Sequence, residues 1–142
     1  MTNIPSRIED PSYRYKMPLI QTKVEGKGNG IKTKLVNLEA VAKALRIPPK
    51  YILRYVGTEC GANCDEKVNT VNGQYRTPDI QQIIDKFIDK YIICGKCNYP
   101  ETKIVVVGKN KLFSNCAACG AYLPLDDLHK VGRYMLNNPP HA

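Results

Sequence analysis

Two Cys-x-x-Cys pairs in the last third of the 142-residue sequence carry its clearest chemistry. Cys94 and Cys97 form the first pair, Cys116 and Cys119 form the second, and 18 residues separate the two. This spacing is typical of sites that hold one zinc ion in a tetrahedron of thiolates, with zinc–sulfur distances of about 2.3 Å. Because four thiolates leave no open coordination position, we expect one structural zinc ion per chain and no metal-activated water.

The residues around these pairs indicate a zinc ribbon. Gly120 follows the second pair and Asn98 occupies the equivalent place after the first; both residue types tolerate the left-handed backbone that a metal-binding knuckle needs. Between the pairs, Lys103 to Val107 and Leu112 to Ser114 flank a turn and are predicted to form a hairpin. Two redox pairs are the alternative, but the sequence lacks the βαβ setting of thioredoxin-like motifs.

The other two cysteines, Cys60 and Cys64, have neither a second pair nor a histidine beside them. They are predicted to be buried or incidental thiols, and a second metal site is not expected. The N-terminus has no apolar core like that of a signal peptide, and no run of 18 apolar residues could span a bilayer. These features predict a soluble, cytoplasmic protein whose cysteines are thiolates or thiols rather than disulfides.

The formal net charge of +8 is concentrated in the N-terminal part of the sequence. Residues 1–60 contain 11 Lys/Arg against 5 Asp/Glu, whereas residues 61–142 contain 10 against 8. A basic surplus favours a polyanionic partner, either nucleic acid or the phosphates of a nucleotide held by another protein. A solvated basic surface without such a partner explains the charge equally well.

Several elements must position these groups, beginning with an extended, flexible arm over residues 1–18. Leu19 to Val24 and Ile31 to Val36 are predicted strands of a hairpin. Asn37 is predicted to cap a helix that ends before Pro48-Pro49, and a second helix is expected from Pro49 to about Tyr55.

The C-terminal half of the predicted domain combines a second hairpin with a long helix. The hairpin is expected to turn at Asn72-Gly73, because both residues tolerate positive φ. Thr77 and Pro78 are predicted to start the helix, whose apolar stripe should pack in the core. The sequence thus predicts an α+β protein: an arm (1–18), a small α/β domain (19–91) and a four-cysteine zinc ribbon with a short C-terminal helix (92–142).

Residues 13–18 (YRYKMP) and 24–33 (VEGKGNGIKT) closely resemble the N-terminal domain of eukaryotic translation initiation factor 5. Further positions agree with that family along almost the whole chain: Val41-Ala-Lys-Ala-Leu45, Pro48-Pro49, Glu59, Gly61-Ala62, Val71-Asn-Gly73, Asp85, Phe87-Ile88, the four paired cysteines, Pro100-Glu-Thr102, His129-Lys130 and Asn138-Pro-Pro140. The chain departs from the family pattern in the segment Asp65 to Thr70 and at Ala117, where the family usually has lysine.

The resemblance implies a GTPase-activating module rather than a complete enzyme. In that family the module acts on the GTP-bound initiation factor 2 complex, whose gamma subunit is the GTPase. The resemblance places the arginine finger at Arg14 and supporting residues at Lys32 and Arg54, the latter where the family usually has lysine. A guanidinium delivered in trans suits this task because phosphoryl transfer spreads negative charge over the γ-phosphoryl oxygens.

The glycine-rich loop after Val24 is predicted to approach phosphates through Lys23, Lys27 and Lys32. It is not a P-loop, because Ile31 separates the last glycine from the lysine, so we expect no nucleotide bound by this chain alone. The resemblance implies the small ribosomal subunit, initiator tRNA and mRNA as partners. The alternative function is an RNA- and ribosome-binding scaffold like the zinc-ribbon domain of initiation factor 2 beta.

Overall fold

The computed structural model describes residues 2–4, 12, 15–26, 30–107, 111–125 and 129–137. The fold is α+β, as the sequence predicts. In chain order the elements are β1 (Thr2–Asn3), β2 (Lys16–Met17), β3 (Thr22–Glu25), β4 (Lys32–Leu35), α1 (Leu38–Leu45), α2 (Pro49–Cys60), β5 (Cys64–Asp65), β6 (Thr70–Asn72), α3 (Thr77–Phe87), β7 (Thr102–Val107), β8 (Lys111–Cys116), β9 (Tyr122–Pro124) and α4 (Lys130–Asn137). Within these ranges, no helix is both long and apolar enough to cross a bilayer.

A four-stranded antiparallel sheet in the order β3, β4, β6, β5 organises the N-terminal half. The first predicted hairpin is confirmed, because Thr22 lies opposite Leu35 and Glu25 lies opposite Lys32. Leu35 and Val71 are fully buried. Their burial fixes the register, since a slip of one residue would expose the apolar side chains of both strands.

The second predicted hairpin, about Asn72-Gly73, is wrong. Strand β6 pairs with β4 and β5 instead of with residues 74–76, which are not in a strand. Gly73 does have a positive φ, 108°, but its N–H donates to the Ile31 carbonyl. Because β6 already has a partner on each side, it offers no free edge to the chain that follows it.

The side chain of Asn37 does not cap α1, in contrast to the prediction. Its Oδ1 accepts a hydrogen bond from the Gln21 N–H at 2.8 Å, and its Nδ2 donates to the Leu19 carbonyl at 2.8 Å. The amide oxygen is therefore engaged by the segment before β3, and it ties the start of α1 to the edge of the sheet.

Helix α2 continues five residues beyond its predicted end at Tyr55 and stops at Cys60, where Gly61 adopts a left-handed conformation with φ 64°. Gly57 lies inside the helix despite its low helix propensity. A Cβ at this position would lie 3.1 Å from the Ala62 carbonyl oxygen. The glycine therefore lets the chain fold back closely against the helix that it has just left.

The apolar stripe of α3 is core, as predicted, and the helix continues as a π-helical turn over Ile88–Ile92. Thr77 is the first helical residue and Arg76 is the N-cap, so the predicted threonine cap is displaced by one residue. The fully buried side chains of this segment include Ile80, Ile84, Phe87, Ile88 and Tyr91.

Adjacent isoleucines on α3 allow a matched test of this packing. Ile84 is fully buried, whereas Ile83 is only half-buried. We expect Ile84→Ala to lower the free energy of unfolding by about 2 to 5 kcal/mol, because truncation removes apolar burial and leaves a cavity. Ile83→Ala should lower the free energy of unfolding clearly less. Urea titration of both variants measures the two losses. Equal losses for the two variants would contradict the assignment of the buried face.

The ends of the predicted N-terminal arm are attached to the body of the protein. Strand β1 pairs with β2, and the Ile4 N–H donates to the Tyr15 carbonyl at 2.8 Å. Ile4 and Met17 belong to the buried core. This strand pair was not predicted, because two-residue strands leave no periodic signal in the sequence.

The C-terminal part is a three-stranded antiparallel ribbon in the order β7, β8, β9. The predicted ribbon hairpin is confirmed in β7 and β8, and β9 adds a third strand that was not predicted. Helix α4 then packs against α2, where the Tyr134 ring meets Tyr51 edge-on. His129, the residue before α4, stacks on Tyr55 of α2. Ile104 of the ribbon belongs to the same buried cluster as the helices, so ribbon and helices share one core.

Candidate metal centre and polar groove

The four predicted metal ligands come together in one cluster. The Sγ atoms of Cys94, Cys97, Cys116 and Cys119 all lie within 4.8 Å of one another, with Sγ–Sγ distances of 3.7 Å (Cys94–Cys119) and 3.6 Å (Cys97–Cys116). Sulfurs bound at about 2.3 Å to one ion in a regular tetrahedron are about 3.8 Å apart. The cluster therefore has the dimensions of a four-thiolate metal site, and the described part of the chain contains no second cluster of this kind.

Both pairs lie on knuckles with the same backbone geometry. The N–H of Asn98 donates to the Cys94 carbonyl and that of Gly120 donates to the Cys116 carbonyl, each at 2.9 Å. Asn98 has φ 64° and Gly120 has φ 75°, which confirms the predicted left-handed positions. The repeated turn directs two sulfurs from each knuckle toward a common centre.

In the cluster, the neighbouring groups favour the thiolate form of Cys94 but disfavour that of Cys97. Burial acts to raise the pKa of Cys94, but hydrogen bonds from the Cys97 and Lys96 N–H groups and from neighbouring thiols outweigh it and lower the pKa to about 6. For Cys97, a hydrogen bond from the Tyr99 N–H acts to lower the pKa, yet burial and the neighbouring sulfurs raise it to about 12. A cation between the sulfurs resolves this conflict, because it stabilises all four thiolates together.

Cys60 and Cys64 are half-buried, and burial raises the pKa of both thiols. A hydrogen bond with Tyr75 opposes the effect at Cys60, and the charge of Arg54 opposes it at Cys64. A raised pKa leaves little thiolate at neutral pH, so neither side chain has the environment of a reactive cysteine.

A polar groove brings together two of the residues that the family resemblance singled out. Lys32 and Arg54 are 22 positions apart in the sequence, yet both line one cavity of about 420 Å³. Asn63 and Cys64 also line it and are shared with an adjoining cavity of about 420 Å³ next to Lys130. Strand β4 carries the lysine and α2 carries the arginine, so both the sheet and the helix contribute to the lining of the groove.

Arg54 is held in place by two side chains that sequence reasoning missed. Its Nε is 2.7 Å from Oε1 of Glu66, and the same oxygen accepts a hydrogen bond from the Tyr134 hydroxyl at 2.7 Å. The guanidinium also lies 4.8 Å from the centre of the Tyr134 ring. The hydrogen bond from Tyr134 and the ion pair with Arg54 lower the pKa of Glu66, so the carboxylate stays charged at neutral pH.

This arrangement orients the arginine more than it stabilises the fold. Arg54 and Glu66 retain side-chain exposures of 46% and 35%, and exposed ion pairs contribute only about 0 to 1 kcal/mol. No local signal could have revealed the role of Tyr134, because Glu66 and Tyr134 are 68 positions apart.

Of the other predicted lysines, Lys23 lies in the same sheet as Lys32. Lys23 is on β3 opposite Lys34 of β4, and the alternation of the strand places Lys32 on the same side. Lys27 and Arg14 lie outside the described residues, and their roles stay predictions. The backbone carbonyl of Tyr15, the residue after Arg14, accepts a hydrogen bond from the Ile4 N–H. The ring centroid of Tyr15 is 6.0 Å from that of Tyr99, which lies beside the first metal knuckle.

Comparison with known proteins agrees with the resemblance over nearly the whole chain. A family model, described as a domain found in initiation factors 2B and 5, matches residues 5–122. Eukaryotic translation initiation factor 5 of Saccharomyces cerevisiae is 44% identical over 137 residues, covering 94% of this chain and 34% of that protein. The proteins of the same name from Caenorhabditis elegans (45% over 142 residues; 97% and 32%) and Mus musculus (44% over 143 residues; 97% and 33%) are similar to the same extent. The chain spans about a third of the length of these curated relatives.

Proposed function

Because this chain belongs to the family of the N-terminal domain of eukaryotic translation initiation factor 5, we propose that it acts in translation initiation as a GTPase-activating module. It would supply residues to the GTP-bound initiation factor 2 complex, whose gamma subunit is the GTPase. The module is a regulator without a complete active site of its own. The observation that supports the proposal is the shared groove, which both Lys32 and Arg54 line.

Arg14 is the proposed arginine finger. Phosphoryl transfer needs positive charge at the γ-phosphoryl oxygens, and a planar guanidinium can donate to two of them at once. The attachment of Tyr15 to Ile4 and its contact with Tyr99 support this role, because they anchor the residue next to Arg14 on the body of the protein.

Lys32 and Arg54 would support the finger by binding negative charge on the partner. The clamp formed by Glu66 and Tyr134 supports this role for Arg54, since a positioned guanidinium loses less conformational entropy on binding than a free one. The family usually has lysine at this position, and in this chain the arginine that replaces it is held by Glu66 and Tyr134.

We propose that the metal of the four-cysteine cluster is zinc, held by Cys94, Cys97, Cys116 and Cys119. Zinc would cross-link the two knuckles. It would take part in no reaction step, because four thiolates leave no open coordination position. The matching knuckle turns support one structural ion per chain.

The proposed site of action is the small ribosomal subunit in the cytoplasm, next to initiator tRNA and mRNA. Single-turnover GTP hydrolysis by the assembled factor 2 complex on small subunits tests the proposal. Adding this chain should accelerate hydrolysis by orders of magnitude. The competing function, an RNA- and ribosome-binding scaffold, predicts that the chain binds the same complexes and leaves the hydrolysis rate unchanged.

Ribosome binding should depend steeply on salt, because the basic residues that we assign to phosphate contacts release counterions. Lys23→Gln, Lys27→Gln and Lys32→Gln should each reduce the slope of log affinity against log salt by about one. The measurement is small-subunit affinity between about 50 and 200 mM salt. Lys86→Gln, an exposed lysine on α3, is the matched control and should leave the slope unchanged. An affinity that barely changes across this range would contradict the electrostatic assignment.

A further inference from the structure

The outward face of the ribbon carries a stacked aromatic pair that the proposed function does not use. Phe113 of β8 and Tyr122 of β9 have ring centroids 4.8 Å apart and an angle of 11° between ring planes. Tyr122 is 50% exposed. Strand β9 is an edge strand of the described sheet, so the ring face of Tyr122 away from Phe113 has no neighbouring strand over it.

The two faces of this sheet have different surroundings. Ile104 and Leu112 on one face belong to the buried core. The opposite face consists of alternating positions in the three paired strands: Lys103, Val105, Val107, Lys111, Phe113, Asn115, Tyr122 and Pro124. The buried core of the described residues includes none of these eight side chains.

The charge on this outward face is entirely positive. Lys103 lies in one row with Asn115 and Tyr122, and Lys111 lies two residues before Phe113 on β8. The two lysines therefore lie on either side of the aromatic pair, and none of the eight positions is acidic. Lysines that flank an exposed ring complement a ligand with flat apolar groups on an anionic backbone.

We propose that this face, which we call the ribbon platform, binds single-stranded RNA by stacking a base on Tyr122 and pairing Lys103 and Lys111 with phosphates. Exposed aromatic side chains on open sheets bind unpaired bases in this way, whereas paired bases are not free to stack on them. The choice of RNA over DNA rests on the proposed function in translation. The platform is distinct from the groove of Lys32 and Arg54, since it lies on a different sheet.

The test measures fluorescence anisotropy of a labelled 12-nucleotide oligo(U) with the whole chain, without GTP or ribosomes. Tyr122→Leu keeps apolar bulk but removes the aromatic face, and it should weaken binding about 5- to 150-fold, as expected for one lost base stack. Tyr122→Phe should bind like the wild type. Metal content and thermal unfolding of each variant verify that the ribbon is intact.

The lysines and the ligand class provide independent readouts. Lys103→Gln and Lys111→Gln should each lower the salt slope by about 0.7, the value for one phosphate of a single strand, while Lys86→Gln leaves it unchanged. Double-stranded RNA of the same length should bind without sensitivity to Tyr122→Leu. Wild-type oligo(U) affinity in a folded Tyr122→Leu variant overturns the platform, and so does binding of oligo(dT) but not oligo(U). Neither result depends on GTP hydrolysis, so the platform and the proposed function fail separately.

Discussion

Replacing Cys94 with serine should abolish metal binding and unfold the ribbon. A serine hydroxyl is not ionised at neutral pH and cannot replace a thiolate in the tetrahedron. Structural zinc contributes about 10 to 16 kcal/mol in small zinc-binding peptides, which equals or exceeds the net stability of about 5 to 15 kcal/mol of a whole domain. Losing the ion therefore removes more stability than packing of the short ribbon strands can supply.

Metal analysis and amide hydrogen exchange measure this outcome. The wild type should contain one zinc ion per chain, and Cys94→Ser should contain close to none, with rapid exchange throughout β7 and β8. Cys60→Ser is the matched control, because this half-buried thiol lies outside the cluster. It should keep the ion and the slow exchange. A freshly purified wild type without metal, or a ribbon that stays protected after chelation, would refute the metal site.

Loss of the ribbon should also reach the helices. Ile104, Leu112 and Met135 from this part of the chain pack in the same buried cluster as α2 and α3. Zinc removal should therefore accelerate exchange in α2 as well, although less than in β7 and β8. Unchanged exchange in α2 would show that the shared core contributes little to its stability.

Arg14→Ala should reduce stimulated GTP hydrolysis by roughly 10³- to 10⁵-fold, the contribution that arginine fingers make to phosphoryl transfer. This factor corresponds to about 4 to 7 kcal/mol of transition-state stabilisation. An exposed ion pair contributes only about 0 to 1 kcal/mol, so a role in partner binding alone cannot produce so large an effect. Folding, zinc content and partner affinity should stay close to those of the wild type.

Two variants distinguish the finger from general positive charge. Arg14→Lys should recover little activity, because lysine keeps the charge but loses the planar fork. Arg7→Ala changes another arginine of the same N-terminal segment, outside the YRYKMP motif, and should leave the rate unchanged. Lys27→Ala should weaken binding more than it slows the chemical step. Wild-type hydrolysis by Arg14→Ala under saturating single-turnover conditions would remove Arg14 from the mechanism.

Features with local causes could be predicted from the amino-acid sequence. The four cysteines and the left-handed positions at Asn98 and Gly120 were predictable, because a knuckle is formed by residues a few positions apart. The buried stripe of α3 was predictable for the same reason, since helical periodicity acts within one turn. The family motifs added the candidates Arg14, Lys32 and Arg54.

Competition between distant segments, in contrast, became visible only in the folded chain. Asn72-Gly73 has the composition of a hairpin turn, but the strand before it was already paired on both sides. Asn37 is a residue type that often caps helices, but its side-chain oxygen accepts a hydrogen bond from the Gln21 N–H instead.

The contacts that give the surface its candidate functions also arise between remote positions. Glu66 and Tyr134 hold Arg54, and Phe113 stacks on Tyr122 across two strands of which one was not predicted. Such contacts leave no periodic signal, because their free energy depends on which surfaces the folded chain brings together. Local propensities of about 1 kcal/mol or less per residue are easily outweighed by that packing.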